Sequence, residues 1–524
     1  MIVTEMPMPS PNLQTAFPFS EELSDIAASL VRGKNLTAAL TVIAESIRAG
    51  ADPLGDAFIA ARSADDRRIT GTVYTPGEIV SSMIAWAQQQ GTPARVVDPG
   101  AGSGRFLLAA ARVFPDAELI GVEIDPLAVD ILRANLHVCG YSERARIIPE
   151  DYREADISPI DGPTLFLGNP PYVRHHDIEP KWKQWFADGA GDYGHLASKL
   201  AGLHIHFFIR TLQLAREGDY GAFITSAEWL DVNYGSVLRN LLAGELGGTS
   251  LHVLDPKAMP FPDVATTGAI TCFKVRQRPK TFRLQAVESL ADLNALSNGN
   301  SIPWSEAQLS PRWSTIVRPG PKPPSDHIEL GELCRVHRGQ VTGNNEIWIA
   351  GPHAKGLPED LLLPTVTKAR ELIEAVDILQ DPSPLRRVIN LPANLDDIDA
   401  EFLPAVKRFV AWAKRQGADR SYTAQHRRAW WEVRLTEPAP IMCTYMARRA
   451  PAFVRNLCSA RHINIAHGLY PREQLSEKTL DRLTDYLRHN VSTAGGRTYA
   501  GGLTKFEPRE LERVHVPSLE FLEA

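Results

Sequence analysis

The chain lacks the marks of a secreted or membrane protein. Its 524 residues include five cysteines (Cys139, Cys272, Cys334, Cys443 and Cys458), odd in number and without a paired spacing. That pattern excludes a disulfide framework and a structural zinc site, and it points to a reducing, cytoplasmic setting. No apolar run approaches the roughly twenty residues that a membrane helix needs. The stretch from Met1 to Phe19 carries prolines and acids where a signal peptide would be basic and then apolar. The histidines of His175-His176 and His204-Ile205-His206 have no carboxylate or cysteine spacing to complete a ligand set, so no metal is expected. Internal repeats and low-complexity tracts are also missing.

What is present is an ordinary globular composition, 44% hydrophobic and 23% charged, with a net charge of −6. The length exceeds one core, so two domains are expected. Residues 1–20, with Pro7, Pro9, Pro11 and Pro18, read as disordered. Helical patterns follow from Ser20 and from Leu36 to Arg48, and Tyr74-Thr75-Pro76 introduces an amphipathic helix. From Arg95 the pattern alternates strand and helix: Val96, Phe106 to Val113, Leu119 to Val122, Ala128 to Val138, Ala145 to Ile148. Such alternation predicts a doubly wound parallel α/β sheet. Leu251 to Leu254 and Ala269 to Val275 predict its antiparallel finish, and polar residues 276–281 mark a boundary. Beyond it, Leu361 to Ile378, Glu401 to Lys414 and Ser476 to Leu487 read as helices.

Two segments of the first half carry chemistry. Strand Thr164 to Leu167 and Gly168 run into Asn169-Pro170-Pro171-Tyr172. The prolines stiffen the backbone where the sheet ends, which fixes the Asn169 side-chain oxygen and the Pro170 carbonyl as acceptors beside an aromatic ring. Two acceptors and a ring suit a planar ligand with an amino group; a rigid turn with a packed tyrosine is the plain alternative. Upstream, Arg95 to Asp98 leads into Pro99-Gly100-Ala101-Gly102-Ser103-Gly104. A second strand, Leu119 to Val122, closes on Glu123 and Asp125. A glycine turn between strand and helix, with an acid after the next strand, fits a ribose-bearing ligand. Asp98 directly before the glycines, and no phosphate-binding lysine after them, argue against a pyrophosphate.

Tyr74-Thr75-Pro76, Asp98 to Gly104, Gly121 to Pro126 and Asn169 to Tyr172 stand in the order seen in gamma-class N6-adenine DNA methyltransferases. Over roughly residues 65–275 the chain resembles the TaqI-type modification enzymes. Arg338 to Asn345 and Gly501 to Pro508 look like the target-recognition region of Eco-type and XhoI-type modification methylases. The resemblance implies a Rossmann-like class I methyltransferase domain over 21–275 and a C-terminal α+β target-recognition domain over 276–524. It implies S-adenosyl-L-methionine as methyl donor, with Glu123 on the ribose hydroxyls and Asp151 on the cofactor's adenine amino group. Tyr74 and Thr75 would line the methionine end; Gly100, Gly102 and Gly104 would form the loop, organised by Asp98. Asn169 and Pro170 would polarise a flipped adenine stacked on Tyr172. The second aromatic is expected at Tyr234, although the spacing from Trp229 departs by one residue from the TaqI-type pattern.

The expected substrate is double-stranded DNA, with a cognate restriction endonuclease as a separate polypeptide and the enzyme a monomer. Protein-glutamine and RNA-adenine methyltransferases and a non-catalytic DNA-binding subunit are the alternatives. Between Lys407 and Arg461 the chain has twelve lysines and arginines against Asp419, Glu432 and Glu437, interleaved with Trp412, Tyr422, Trp430, Trp431 and Tyr445. That segment supplies the candidate DNA contacts Arg427, Arg428, Arg448 and Arg449. A solvated surface over buried tryptophans is the competing reading.

Overall fold

Strand β1 (Arg95–Pro99) is buried at every position, as are β4 (Thr164–Gly168) and β5 (Tyr220–Ser226). Complete burial follows from a parallel sheet covered on both faces. The remaining strands are β2 (Glu118–Val122), β3 (Ala145–Ile148), β6 (Gly248–Leu254), β7 (Gly268–Lys274), β8 (Thr281–Val287) and β9 (Asn300–Pro303). The nine strands form one sheet in the order β3-β2-β1-β4-β5-β7-β6-β8-β9. β1 to β5 pair in parallel; β7 runs antiparallel between β5 and β6. The structure, a computed structural model, describes residues 20–33, 36–62, 71, 75–255, 258, 267–319, 324, 326–499 and 503–523. Of the disorder expected for residues 1–20, positions 1–19 lie outside the described residues, and Ser20 begins a helix.

Alternation along each strand sends side chains to two cores. Val97, Phe166 and Phe223 join the cluster that contains Phe208 and Leu238 of helices Leu203–Leu214 and Ser236–Ala243. Val96, Leu165, Leu167 and Ile224 join the cluster with Met83 and Leu107 of helices Gly77–Gln88 and Arg105–Val113. Three further helices, Ser20–Arg32, Ala38–Ala49 and Pro53–Ala60, bury Leu23, Ile47 and Leu54 with Ile131 of helix Pro126–Val138.

The chain forms two units, Met1–Pro319 and Gly320–Ala524. The expected boundary at 276 falls inside the first, because β8 and β9 extend the large sheet beyond it. The second unit holds a five-stranded sheet in the order Cys334–Arg338, Ala466–Pro471, Ile441–Thr444, Phe453–Asn456, Ile378–Leu379. The helices Leu403–Arg415 and Glu477–Asn490 match the sequence reading, the latter capped by Ser476. Residues 361–378 do not. Leu362–Val366 is a strand, and only Ala369–Ala375 is helical before Val376 turns to φ 59°. Pro364 cannot sit inside a helix, and Thr365 and Val366 favour a pleated chain. All five cysteines are free, and burial raises each thiol's pKa, those of Cys272 and Cys334 to about 12.

Candidate active site

The glycine loop is a turn that only glycines permit. Gly100, Gly102 and Gly104 have φ of 82°, 54° and 94°. The amides of Gly100 and Ala101 both donate to the Val122 carbonyl, at 2.8 and 2.9 Å. A Cβ on Gly104 would stand 2.4 Å from Leu132 Cδ1, so the loop presses against helix Pro126–Val138. Glu123, at the end of β2, accepts Gly102 N–H at 2.8 Å and Asp125 N–H at 2.9 Å on different oxygens. Acceptor capacity remains on both, and burial raises its pKa. Asp125 is committed elsewhere: it caps helix Pro126–Val138 and pairs with Arg62.

Asp52, which the sequence reading missed, ties the loop down. It caps helix Pro53–Ala60 through Gly55 N–H and also accepts from Ser103 Oγ, Arg105 Nε and Asn135 Nδ2. Its Asp-Pro helix start was the available signal. Asp98 is 1% exposed, and among the described residues neither of its oxygens has a hydrogen-bond partner. Burial, and then the charge of Glu123, push its pKa well above the usual carboxylate range.

A cavity of about 500 Å³ opens over the loop, lined among others by Thr75, Gly100, Gly102, Glu123, Asp151 and Asn169. Asp151 is gripped by Arg153. Its Oδ1 accepts the Arg153 backbone N–H and Nε, both at 2.9 Å, and its Oδ2 accepts Nη2 at 2.6 Å. Desolvation would raise its pKa, but these bonds outweigh it and hold the carboxylate below its ordinary value. The Arg153 guanidinium lies 3.9 Å from the centroid of Trp182, and both residues line the cavity. Neither was foreseen; Arg153 lies two residues beyond the expected aspartate, in a stretch with no motif.

β4 delivers Asn169. Its Nδ2 donates to Thr75 Oγ1 at 3.0 Å, which sets the orientation of the amide. Pro170 is buried, whereas Pro171 lines the cavity. Tyr172 N–H donates to the Gly71 carbonyl at 3.0 Å, and its ring stands edge-on to His204 at 6.2 Å. The Tyr172 hydroxyl is buried without a partner among the described residues, and burial raises its pKa. Burial likewise lowers His204 to about 4 and keeps it neutral. Tyr234 lies on a short turn, Asn233–Gly235, with its hydroxyl donating to Glu228 at 3.3 Å. Trp229 is fully buried, bonded to Thr225 and packed on Trp313, and so belongs to the core. Tyr74 lies outside the described residues. No cluster of three metal-ligating side chains occurs among the described residues.

In the second unit, Arg428, Arg448 and Arg449 are exposed. Arg427 is half-buried and donates to the carbonyls of Val341 and Thr342 at 2.6 and 3.1 Å, so part of its donor set serves the fold. Arg455 is buried against Asp481 and Glu477, and Arg461 bonds the Thr436 carbonyl and Glu437. Trp412 stacks on His353. The basic segment is thus partly scaffold.

Strand order, the glycine turn, an acid closing β2 and Asn-Pro-Pro-Tyr closing β4 define a class I S-adenosylmethionine-dependent methyltransferase. Residues 51–197 match the model of the N-6 DNA Methylase family, 164–254 that of the Eco57I restriction-modification methylase, and 303–524 that of the Type II methyltransferase M.Eco57I C-terminal domain. The chain is 58% identical to Type II methyltransferase M.XamI of Xanthomonas campestris pv. amaranthicola, over 87% of its own length and 86% of that protein. Type II methyltransferase M.AccI of Acinetobacter calcoaceticus is 21% identical, with 86% of each chain covered. The cryo-EM structure of a DrdV-DNA complex shares the fold at a TM-score of 0.52 and 12% identity, covering 88% of this chain and 55% of that one. The protein belongs to the type II N6-adenine DNA methyltransferases of restriction-modification systems.

Proposed function

We propose that the cavity and the Asn169 turn methylate the exocyclic N6 of an adenine in duplex DNA, at a specific site, within a restriction-modification system. The observation that carries this reading is the Asn169 amide, fixed by Thr75 at the wall of the cavity. The residues present suit the cofactor. Glu123 retains acceptor capacity on both oxygens for the ribose hydroxyls. Asp151 Oδ2 has one lone pair left for an adenine N–H, and the unpartnered Asp98 carboxylate suits the methionine ammonium. When bound, S-adenosylmethionine supplies a methyl group already activated on a sulfonium.

The chain's own residues prepare the nucleophile. An adenine amino nitrogen is weak because its lone pair is delocalised into the ring. Asn169 Oδ1 and the Pro170 carbonyl each accept one of its hydrogens, rehybridise it and aim the lone pair along the line of transfer. The displaced proton leaves to solvent after the N–C bond forms. Catalysis of this kind is orientation and fixed dipoles in place of a strong base. A paired base cannot reach the turn, so the adenine flips out and stacks on Tyr172, with Tyr234 as the second aromatic. The family match over 303–524 favours DNA over a protein-glutamine substrate. A cognate endonuclease would be a separate chain. Incubation with tritiated cofactor and duplex DNA should label adenine with the wild type and not with Asn169→Ala. Absence of label in both, with cofactor bound, would overturn the catalytic reading.

A further inference from the structure

Two stretches picked out by sequence, 338–345 and 501–508, belong to the second unit. Within the second unit they meet on one side chain. Tyr445 is 7% exposed, and its ring carries two cations: Arg338 Cζ at 4.3 Å from the centroid and Lys505 Nζ at 5.2 Å. The ring is fixed beneath them. His467 stands edge-on at 5.0 Å, and the Tyr445 hydroxyl donates to Glu507 at 3.4 Å. The Tyr445 carbonyl accepts Phe506 N–H at 3.1 Å.

Lys505 is paired with Glu507 at 2.6 Å. Arg338 is different. It is exposed, and among the described residues its guanidinium makes a ring contact but no hydrogen bond or ion pair. Seated on the ring, it presents a planar fork of unspent donors in a restricted set of directions. The loop after it is tied down where Gln340 accepts Asn464 N–H and Arg427 donates to Val341 and Thr342. Met446 and Ala447 pair with Lys505 and Thr504, and the exposed Arg448 and Arg449 follow them in the chain. Cations from two separate chain segments, Arg338 and Lys505, therefore meet on Tyr445, with Glu507 as the acid beside them.

We propose that Arg338, held on Tyr445 beside Lys505, is a contact to the DNA phosphate backbone. The inference rests on DNA being the substrate. Cations drawn from separate segments suit a sequence-independent polyanion, and a guanidinium fork suits two phosphate oxygens. The test is the salt dependence of binding of the full-length protein to a labelled duplex, between about 50 and 200 mM NaCl. Arg338→Ala should weaken binding and lower the slope of log K against log salt by about 0.9. Arg338→Lys, which keeps the charge, should restore most of the slope, and Tyr445→Phe, which keeps the ring, should match the wild type. An unchanged slope in Arg338→Ala, or a loss confined to one DNA sequence, would overturn the phosphate assignment. Melting temperatures confirm that each variant is folded. Adenine labelling by the wild type is scored separately, so failure of the catalytic reading stays distinguishable.

Discussion

The bond from Asn169 to Thr75 gives one threonine a task beyond lining a cavity. With its nitrogen committed to Thr75 Oγ1, the amide keeps its oxygen as the acceptor. Thr75→Val removes that partner at nearly constant volume. Turnover should fall about ten- to a hundredfold while cofactor affinity, read by calorimetry, changes little, and Thr75→Ser should recover most of the loss. Asp98 predicts a pH effect. Its folded pKa lies above the unfolded value, so ionising it costs the native state more than the unfolded chain. Without cofactor, the contribution of Asp98 to stability falls as pH rises through about 4, and the loss levels off above its folded pKa. Asp98→Asn should therefore melt higher than the wild type near neutral pH, with the gain shrinking toward pH 4. A gain that stays constant across that range would refute the assignment. That Asn169, Glu123 and Asp151 line one cavity was legible because each follows the end of a strand that the sequence locates. Arg153 and Asp52 were not, since each acts through a partner that only the folded chain brings near.

At the scale of elements, the first half was readable because strands buried on both faces give continuous apolar runs separated by helices of ordinary length. The antiparallel placement of β7 is consistent with the finish read from sequence. β8 alternates Phe282, Leu284 and Ala286 with Thr281, Arg283 and Gln285 as a strand does, but the boundary expected at 276–281 hid it. Residues 361–378 misled because Ala369, Leu372, Ile373 and Val376 recur at helical spacing, although Pro364 forbids a helix through the first part. The glycine loop depends on a helix that precedes it in the chain, through Asp52. Asp52→Ala removes a helix cap and takes one acceptor from each of Ser103, Arg105 and Asn135. It should lower unfolding stability by about 2 kcal/mol or more and weaken cofactor binding, as denaturant titration and calorimetry would show. Gly104→Ala should be worse for the cofactor than for the fold's other elements, because its φ and Leu132 both oppose a methyl group.

At the scale of the whole molecule, the net charge of −6 concealed the basic segment of the second unit. Folding then divides that segment. Arg455 and Arg461 hold strands together, whereas Arg428, Arg448 and Arg449 remain exposed. Replacing Arg448 and Arg449 together by alanine should weaken duplex binding and flatten its salt dependence by up to about two phosphate equivalents. The same double change should leave the melting temperature within about a degree or two, since exposed positions contribute little. No helix of the described residues is long and apolar enough to cross a membrane. The cysteines bear on a different matter. With all five thiols buried or half-buried and shifted toward the protonated form, alkylating reagents at neutral pH should modify the native protein slowly. A single cysteine introduced at Arg449 would then be the fastest-reacting thiol. It would accept a fluorophore or a crosslinker beside the proposed nucleic-acid surface without any native cysteine having to be removed.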